Sequence, residues 1–244
     1  MGGNQSVSDK NFKKELEKII SYLESGKHFV LSKYADGEWN IINENPAWGH
    51  VDGWYYLPYV DKFYRDRLLE SFVYEHPDYL VGISCRCCAG DEVHEQMKEV
   101  SGQPIENLTF ANVLVNSNYD TYLTKIIPLY MHYKVYLVAH EDAQIKNLPF
   151  GIKKHYPISK IAWKNDYSLI DDIKEEIKSK DIQNSLFLFA AGPLGNMMAH
   201  QLWEASPHNT YLDIGSTLNP LMEMGKNRGY LKGASTSQRE CVWK

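Results

Sequence analysis

No apolar run in this 244-residue chain approaches the roughly 18 residues that a bilayer-spanning helix needs. The first ten residues, MGGNQSVSDK, contain no apolar h-region, so no secretory signal is expected and the chain reads as a soluble, cytoplasmic protein. A basic block is also missing. The 26 Lys and Arg stand against 31 Asp and Glu, a net charge of −5, which is poor footing for gripping a phosphate backbone, so nucleic acid is not an expected partner. Cysteine is scarce: four thiols, three of them crowded at Cys85, Cys87 and Cys88, do not make a disulfide framework, and reduced thiols are expected. Internal repeats, Ser/Gly linkers, a Walker loop and a spaced G-x-G-x-x-G are all absent, which leaves one domain without the common nucleotide fingerprints.

What is present is ordinary globular composition, 43% hydrophobic and 23% charged, with an unusual 13% of aromatics that includes 17 Tyr and 6 Trp. Such rings serve sugar- and nucleotide-binding surfaces, and equally a Tyr-rich core and rim. Apolar periodicity predicts helices from Ser8 to about Leu23 and over 60–75, 91–100, 119–131, 167–179 and 194–204. It predicts strands at 28–32, 79–84, 109–115, 134–139, 159–163, 185–191 and 210–214, with an aromatic loop at 46–59. Continuously apolar strands alternating with helices imply an α/β fold, a Rossmann-like and mostly parallel sheet with helices on both faces. The domain is expected over residues 9–224, preceded by a flexible tail (1–8) and followed by a Gly- and Lys-rich surface tail (225–244). The opening MGGNQS also fits the Met-Gly-x-x-x-Ser/Thr acylation pattern, with Gly2 as acceptor and Ser6 in place, although a single myristoyl chain would anchor only marginally.

Open α/β sheets bind ligands outside the carboxyl ends of their strands, so the residues after each strand are the ones to weigh. Asp36-Gly37-Glu38 follows the first strand. In extended chain, residues i and i+2 face the same side about 6.5–7 Å apart, close enough for two carboxylates to share a hard cation such as Mg²⁺ or Mn²⁺. Asp-Gly is equally a turn signal that would leave Glu38 solvated. Gly192-Pro193-Leu194-Gly195 follows the sixth strand and opens a helix, where small residues expose N–H groups and the positive helix end to an anion, or merely turn the chain tightly. Asp213-Ile214-Gly215-Ser216 follows the last strand and His140-Glu141-Asp142 the fourth. Each offers a base or a hydroxyl contact, or simply a cap.

These separated motifs resemble the GT-D-type glycosyltransferases, a group with a Rossmann-like sheet and a metal-binding Asp-x-Glu motif. Ser32-Lys-Tyr34-Ala-Asp36-Gly37-Glu38 is similar to the family's first-strand motif, an aromatic, a small residue, then Asp-Gly-Glu. Trp163-Lys-Asn165 followed by Tyr167 and a helix is similar to its segment ending in Asn, and Leu188-Phe-Ala-Ala-Gly192-Pro193 with Tyr211-Leu-Asp213-Ile-Gly215 to its closing pair. The resemblance covers about residues 10–220 in order. Ser216 stands where many members have His, Leu194-Gly195-Asn196 replaces a Thr-rich turn, and the Cys85-Arg-Cys87-Cys88 loop is unlike the adhesin-modifying members.

The resemblance implies a metal-dependent glycosyltransferase that moves a sugar from a nucleotide-diphosphate sugar, a UDP-sugar first, to a hydroxyl of a glycan or glycoprotein acceptor. Asp36 and Glu38 would hold Mn²⁺ or Mg²⁺ against the leaving diphosphate. Tyr34, Gly37, Asn165, Gly192, Pro193, Gly195, Gly215 and Ser216 would line the donor, and Asp213, Glu141, His140 and Asp52 are candidate bases. Trp48, Trp54, Tyr55 and Tyr56 could stack on base or sugar, and exposed aromatics could serve a homodimer interface. The rival readings are a nucleotide-sugar hydrolase and a catalytically silent nucleotide-binding or interaction module. Cys85, Cys87 and Cys88 with His94 offer sulfur and nitrogen for zinc, but zinc sites usually show Cys-x₂₋₄-Cys pairs and only Cys241 remains, so packed or site-lining thiols are expected.

Overall fold

The computed structural model describes residues 9–49, 54–226, 228–232 and 239–244, with only the backbone of Trp54. Gly2, Ser6 and Asp52 lie outside the described residues. Helix α1 (Phe12–Glu24) begins at Asn11, whose side-chain oxygen accepts the N–H groups of Lys13 and Lys14 at 3.1 and 3.0 Å. Its apolar stripe of Phe12, Leu16, Ile19, Ile20 and Leu23 is buried. After β1 (Val30–Lys33) and α2 (Asp36–Ile42), residues read as a loop form a small antiparallel hairpin, β2 (Ala47–Gly49) with β3 (Trp54–Tyr56). Then follow α3 (Lys62–Val73), β4 (Tyr79–Ile83), α4 (Arg86–Ala89), α5 (Asp91–Ser101) and β5 (Leu108–Phe110). The second half runs through α6 (Tyr119–Thr121), a π-helical turn (Tyr122–Ile126) and α7 (Ile127–Tyr130), then β6 (Lys134–His140) and β7 (Ile152–Ile158). It closes with α8 (Ala162–Asn165), α9 (Leu169–Ser179), β8 (Ser185–Phe189), α10 (Pro193–Ala205) and β9 (Thr210–Asp213).

Seven strands form one parallel sheet in the order β5-β4-β1-β9-β8-β6-β7. Every residue of β4, β8 and β9 is buried, so both faces of these strands are covered, as their unbroken apolar character requires. Much of the aromatic excess goes into this core. Tyr156, Tyr136, Phe187 and Tyr211 stack as a ladder across β7, β6, β8 and β9, with successive centroids 6.4, 4.7 and 5.2 Å apart. Gly195 in α10 has no Cβ where one would meet Phe189 Cβ at 3.1 Å, which lets the helix sit close on β8.

Three further parts of the chain differ from the sequence reading. The strand expected at 109–115 ends at Phe110. The apolar run Val113-Leu114-Val115 turns instead, with the Asn118 amide donating to the carbonyls of Val113 and Phe12. The strand expected at 159–163 is helix α8, and the edge strand of the sheet is the preceding β7. Its Ile-Lys-Lys-His-Tyr-Pro-Ile sequence, with exposed Lys153 and Lys154 and a Pro, is suited to an edge and masks the apolar pattern. The final residues are only partly on the surface: Arg239, Glu240, Val242 and Lys244 are exposed, whereas Cys241 is buried and Trp243 is buried edge-on to His94 and Phe110, and Val242 bridges to Asn11. No described helix is long and apolar enough to cross a membrane.

His200 of α10 is buried against Tyr74 and Tyr79, and burial pushes its imidazole down to about 4, with the Lys174 and Arg67 charges adding to the effect. Glu204, 3.4 Å from Nε2 and half-exposed, is too well solvated to offset that. The unfolded chain therefore binds the extra proton first, and stability falls as pH drops from about 6.5 towards 4, by up to roughly 3 kcal/mol. In His200→Gln the loss of denaturation midpoint between pH 7 and 4 should be shallower than in the parent; parallel curves would refute the assignment.

Candidate functional site

The strand order places the topological switch at the middle of the sheet. From β1 the chain builds outward through β4 and β5, then crosses to the far half and returns inward to end on β9, which pairs with β1. Ligands in such sheets bind in the crevice at the carboxyl ends of the two strands flanking the switch. Here those ends deliver Lys33 to Glu38 from β1 and Asp213 to Ser216 from β9.

Asp213 stitches the two exits together. Its Oδ2 accepts the Lys33 N–H at 3.2 Å, its Oδ1 accepts the Gly215 N–H at 2.9 Å, and Lys33 Nζ lies 3.9 Å from Oδ1. Burial raises its carboxyl above the usual range, opposed by the Lys33 charge and the two backbone donors. Gly215 has φ +52° and a Cβ there would stand 3.2 Å from Lys33 Nζ, so glycine is fitted to this turn by both conformation and space.

Asp36 and Glu38 are not extended. They occupy the first turn of α2, where residues two apart do not face the same side, so the side-by-side pair expected from strand spacing is not formed. Asp36 is exposed, while Glu38 folds back and accepts the Ala35 N–H on Oε2 at 3.0 Å, half of a capping box. Burial pushes the Glu38 carboxyl up to about 7, helped by the negative charges of Asp213 and Asp36. Asp36, Glu38 and Asp213 thus stand at the exits of β1 and β9, within electrostatic reach of one another at Glu38, without converging into one tight cluster of ligand atoms. A divalent ion held by one or two carboxylates, its other positions filled by phosphate oxygens and water, fits this donor set; its charge would also offset the burial and the neighbouring negative charges that raise Glu38.

Several candidates take other roles. Tyr34 is a core residue: its ring packs on Phe72, its hydroxyl donates to Ser71 Oγ at 2.8 Å and accepts from Ser32 Oγ at 3.0 Å, so it cannot line a donor. At the start of α10, Gly192 is exposed with φ +54°, but Pro193 is buried and has no N–H. Gly195 is also buried, and its N–H goes to the Gly192 carbonyl at 2.8 Å. That turn therefore offers an anion fewer donors than its composition suggested. His140 and Glu141 leave β6, which β8 separates from β9, so they lie about 10 Å along the sheet from Asp213. His140 Nδ1 accepts the Asp142 N–H at 3.1 Å, and Glu141 is exposed. Ser216 Oγ is 2.8 Å from the Tyr230 hydroxyl.

Asn165 ends α8, exposed, with its amide on Ser159 Oγ at 3.2 Å. Beside it Lys164 Nζ pairs with buried Asp61 at 2.6 Å and sits 3.9 Å over the Tyr55 ring. Tyr56 is buried against Trp163, whereas Trp48 is exposed. Sequence reasoning missed Asn196, a fully buried polar residue in the first turns of α10. Its amide donates to Ser32 Oγ at 3.0 Å and to the Lys33 carbonyl at 2.8 Å, fixing α10 to the end of β1. A groove of about 380 Å³ lies at the opposite edge of the sheet, lined by Lys174, Lys178, Gln183 and His208, and has none of these acids.

Two solved structures share the fold. Both are of the domain of unknown function 1792, one described as having a distinct glycosyltransferase fold and the other its selenomethionine-substituted form. Each matches with a TM-score of 0.55 and 15% identity over 83% of this chain and 77% of the other. The architecture is therefore that of a glycosyltransferase fold. A scan against protein-family models and a search of curated proteins found no match.

Asn196→Ala should lower stability by about 1–3 kcal/mol, since it strips the buried Lys33 carbonyl of its side-chain donor. Denaturant unfolding reads this directly; a change below about 0.5 kcal/mol would mean the anchor is dispensable.

Proposed function

We propose that the chain is a glycosyltransferase that moves a sugar from a nucleotide-diphosphate sugar to a hydroxyl of a glycan or glycoprotein acceptor, with a divalent metal ion held by Asp36 and Glu38. The observation that carries this reading is the acidic group of Asp36, Glu38 and Asp213 at the switch point of a sheet with a glycosyltransferase fold. Bound there, Mn²⁺ or Mg²⁺ would supply positive charge to the departing diphosphate.

The chain's own residues do the rest. Glu38 has Oε2 fixed by the Ala35 N–H, so its carboxyl would meet the ion with its orientation already set. Asp213 holds the exits of β1 and β9 in register and keeps Lys33 Nζ at the same corner, a fixed cation beside a diphosphate. Tyr55, with Lys164 over one face, and exposed Trp48 form an aromatic rim suited to a base or sugar ring. The acceptor hydroxyl loses its proton to a carboxylate at this edge. Asp213 belongs to the switch point itself, whereas His140 and Glu141 stand two strands away.

Asp36→Asn and Glu38→Gln should each lower metal-dependent transfer at least about 100-fold while leaving the fold intact. Unchanged turnover in both would remove the metal assignment. A screen of nucleotide-sugars for thermal stabilisation identifies the donor: at 100 times its Kd a ligand adds about 2.7 kcal/mol, and the gain should require Mn²⁺ or Mg²⁺. Stabilisation that ignores the metal would favour simple nucleotide binding.

A further inference from the structure

The four cysteines of the chain converge. Cys85 leaves the end of β4 as the residue before α4, Cys87 and Cys88 lie within α4, and Cys241 arrives from the other end of the sequence. All four sulfurs lie within 4.8 Å of one another. Cys85 and Cys87 are 3.1 Å apart, Cys87 and Cys88 4.0 Å, and none is in a disulfide. Four thiolates on a tetrahedral zinc, with bonds of about 2.3 Å, have their sulfurs about 3.8 Å apart, in the middle of that spread. We infer that Cys85, Cys87, Cys88 and Cys241 form a structural zinc site that fastens the C-terminus to the exit of β4.

Independent features around the sulfurs suit a thiolate centre. The Asn112 amide donates to Cys88 Sγ at 3.4 Å and the Asn116 amide to Cys241 Sγ at 3.5 Å, the outer-shell N–H donors that thiolate ligands use. Asn116 adopts φ +54° where it does so. Arg239 reaches the Cys87 carbonyl at 3.1 Å, bringing positive charge to a centre that carries two negative charges when filled. Cys85 and Cys241 are buried while Cys87 and Cys88 are exposed, which gives the ion a route from solvent. An all-sulfur tetrahedral set selects soft ions and disfavours Mg²⁺ and Mn²⁺, so this centre is chemically separate from the carboxylates at the switch point. Filling it converts four thiols and Zn²⁺ into a tetrathiolate with release of four protons. His94 is not in this convergent group, which comprises the four cysteines alone; its Nδ1 is on the Ser84 carbonyl at 2.8 Å.

The site closes a contact that the rest of the tail already begins. Arg86 Nε donates to the Trp243 carbonyl at 3.1 Å, and Trp243 is buried between His94 and Phe110. The Val242 bridge to Asn11 and the Ser117 N–H on the Arg239 carbonyl hold the same segment, and a cross-link from Cys241 to the β4 exit removes further freedom from it.

The test is elemental analysis of the full chain, purified under reducing conditions without chelator. About one zinc per chain is expected, released in step with an organomercurial titration of four thiols. Cobalt should replace it and give the visible bands of a tetrahedral cobalt thiolate. Cys88→Ser and Cys241→Ser should each lose zinc at least about tenfold, and chelation should expose Trp243, read by its fluorescence and by proteolysis of the C-terminus. Should a variant fail to fold, the metal content of the parent chain still decides. Zinc below about a tenth of a mole per chain, four freely reacting thiols, a disulfide among them, or iron at equal stoichiometry would each overturn the inference.

Discussion

A buried carboxylate at the exit of β9 ties the first strand of the sheet to the last. Asp213 accepts the backbone N–H of Lys33 on β1 and of Gly215 in its own turn, so the position of everything leaving those two strands follows from one side chain. Burying such a group is costly unless it is paired and hydrogen-bonded, and here the partners are the fixed backbone of the neighbouring strand and the Lys33 ammonium. Asn196 repeats the device from the helix side by gripping Ser32 and the Lys33 carbonyl. Together they hold the corner from which α2 starts, with Glu38 folded back onto the Ala35 N–H and Asp36 exposed.

Much of the architecture was legible from period and punctuation. The buried strands at 79–83, 134–140, 185–189 and 210–213 are short apolar runs between turn signals, and the amphipathic helix at Leu169–Ser179 carries a clean apolar stripe. The failures cluster where tertiary context overrides pattern. β7 carries two adjacent exposed lysines and an exposed Pro because it is an edge, so no apolar strand pattern marks it, while Ala162 and Trp163 after it belong to α8. The apolar run past Phe110 looked like strand but turns on a side chain, Asn118, that no local rule identifies. In each case the deciding contact comes from a distant part of the sequence.

The site shows the same division. Strand-end residues could be chosen from sequence because the carboxyl edge of a parallel sheet is where ligands bind, and Asp36, Glu38 and Asp213 do lie at the exits of the paired strands β1 and β9. Their orientation could not be read. Asp-Gly-Glu opens a helix instead of continuing the strand, and Tyr34, adjacent to the acids in sequence, points into the core. Gly195 serves close packing on Phe189, a role that composition cannot tell from anion binding. The cysteines were hardest to read: spacing offers no second Cys pair, and only the fold brings Cys241, over 150 residues further on, to Cys85, Cys87 and Cys88.

The central claim is that Asp36 and Glu38 hold a divalent ion against a diphosphate at the junction of β1 and β9. Crystals grown with Mn²⁺ and a nucleotide diphosphate, measured at the manganese absorption edge, test it most directly. The account predicts an anomalous peak in contact with carboxylate oxygens of Asp36 and Glu38 and with the diphosphate. A diphosphate bound elsewhere, with no peak at these two acids, would contradict it.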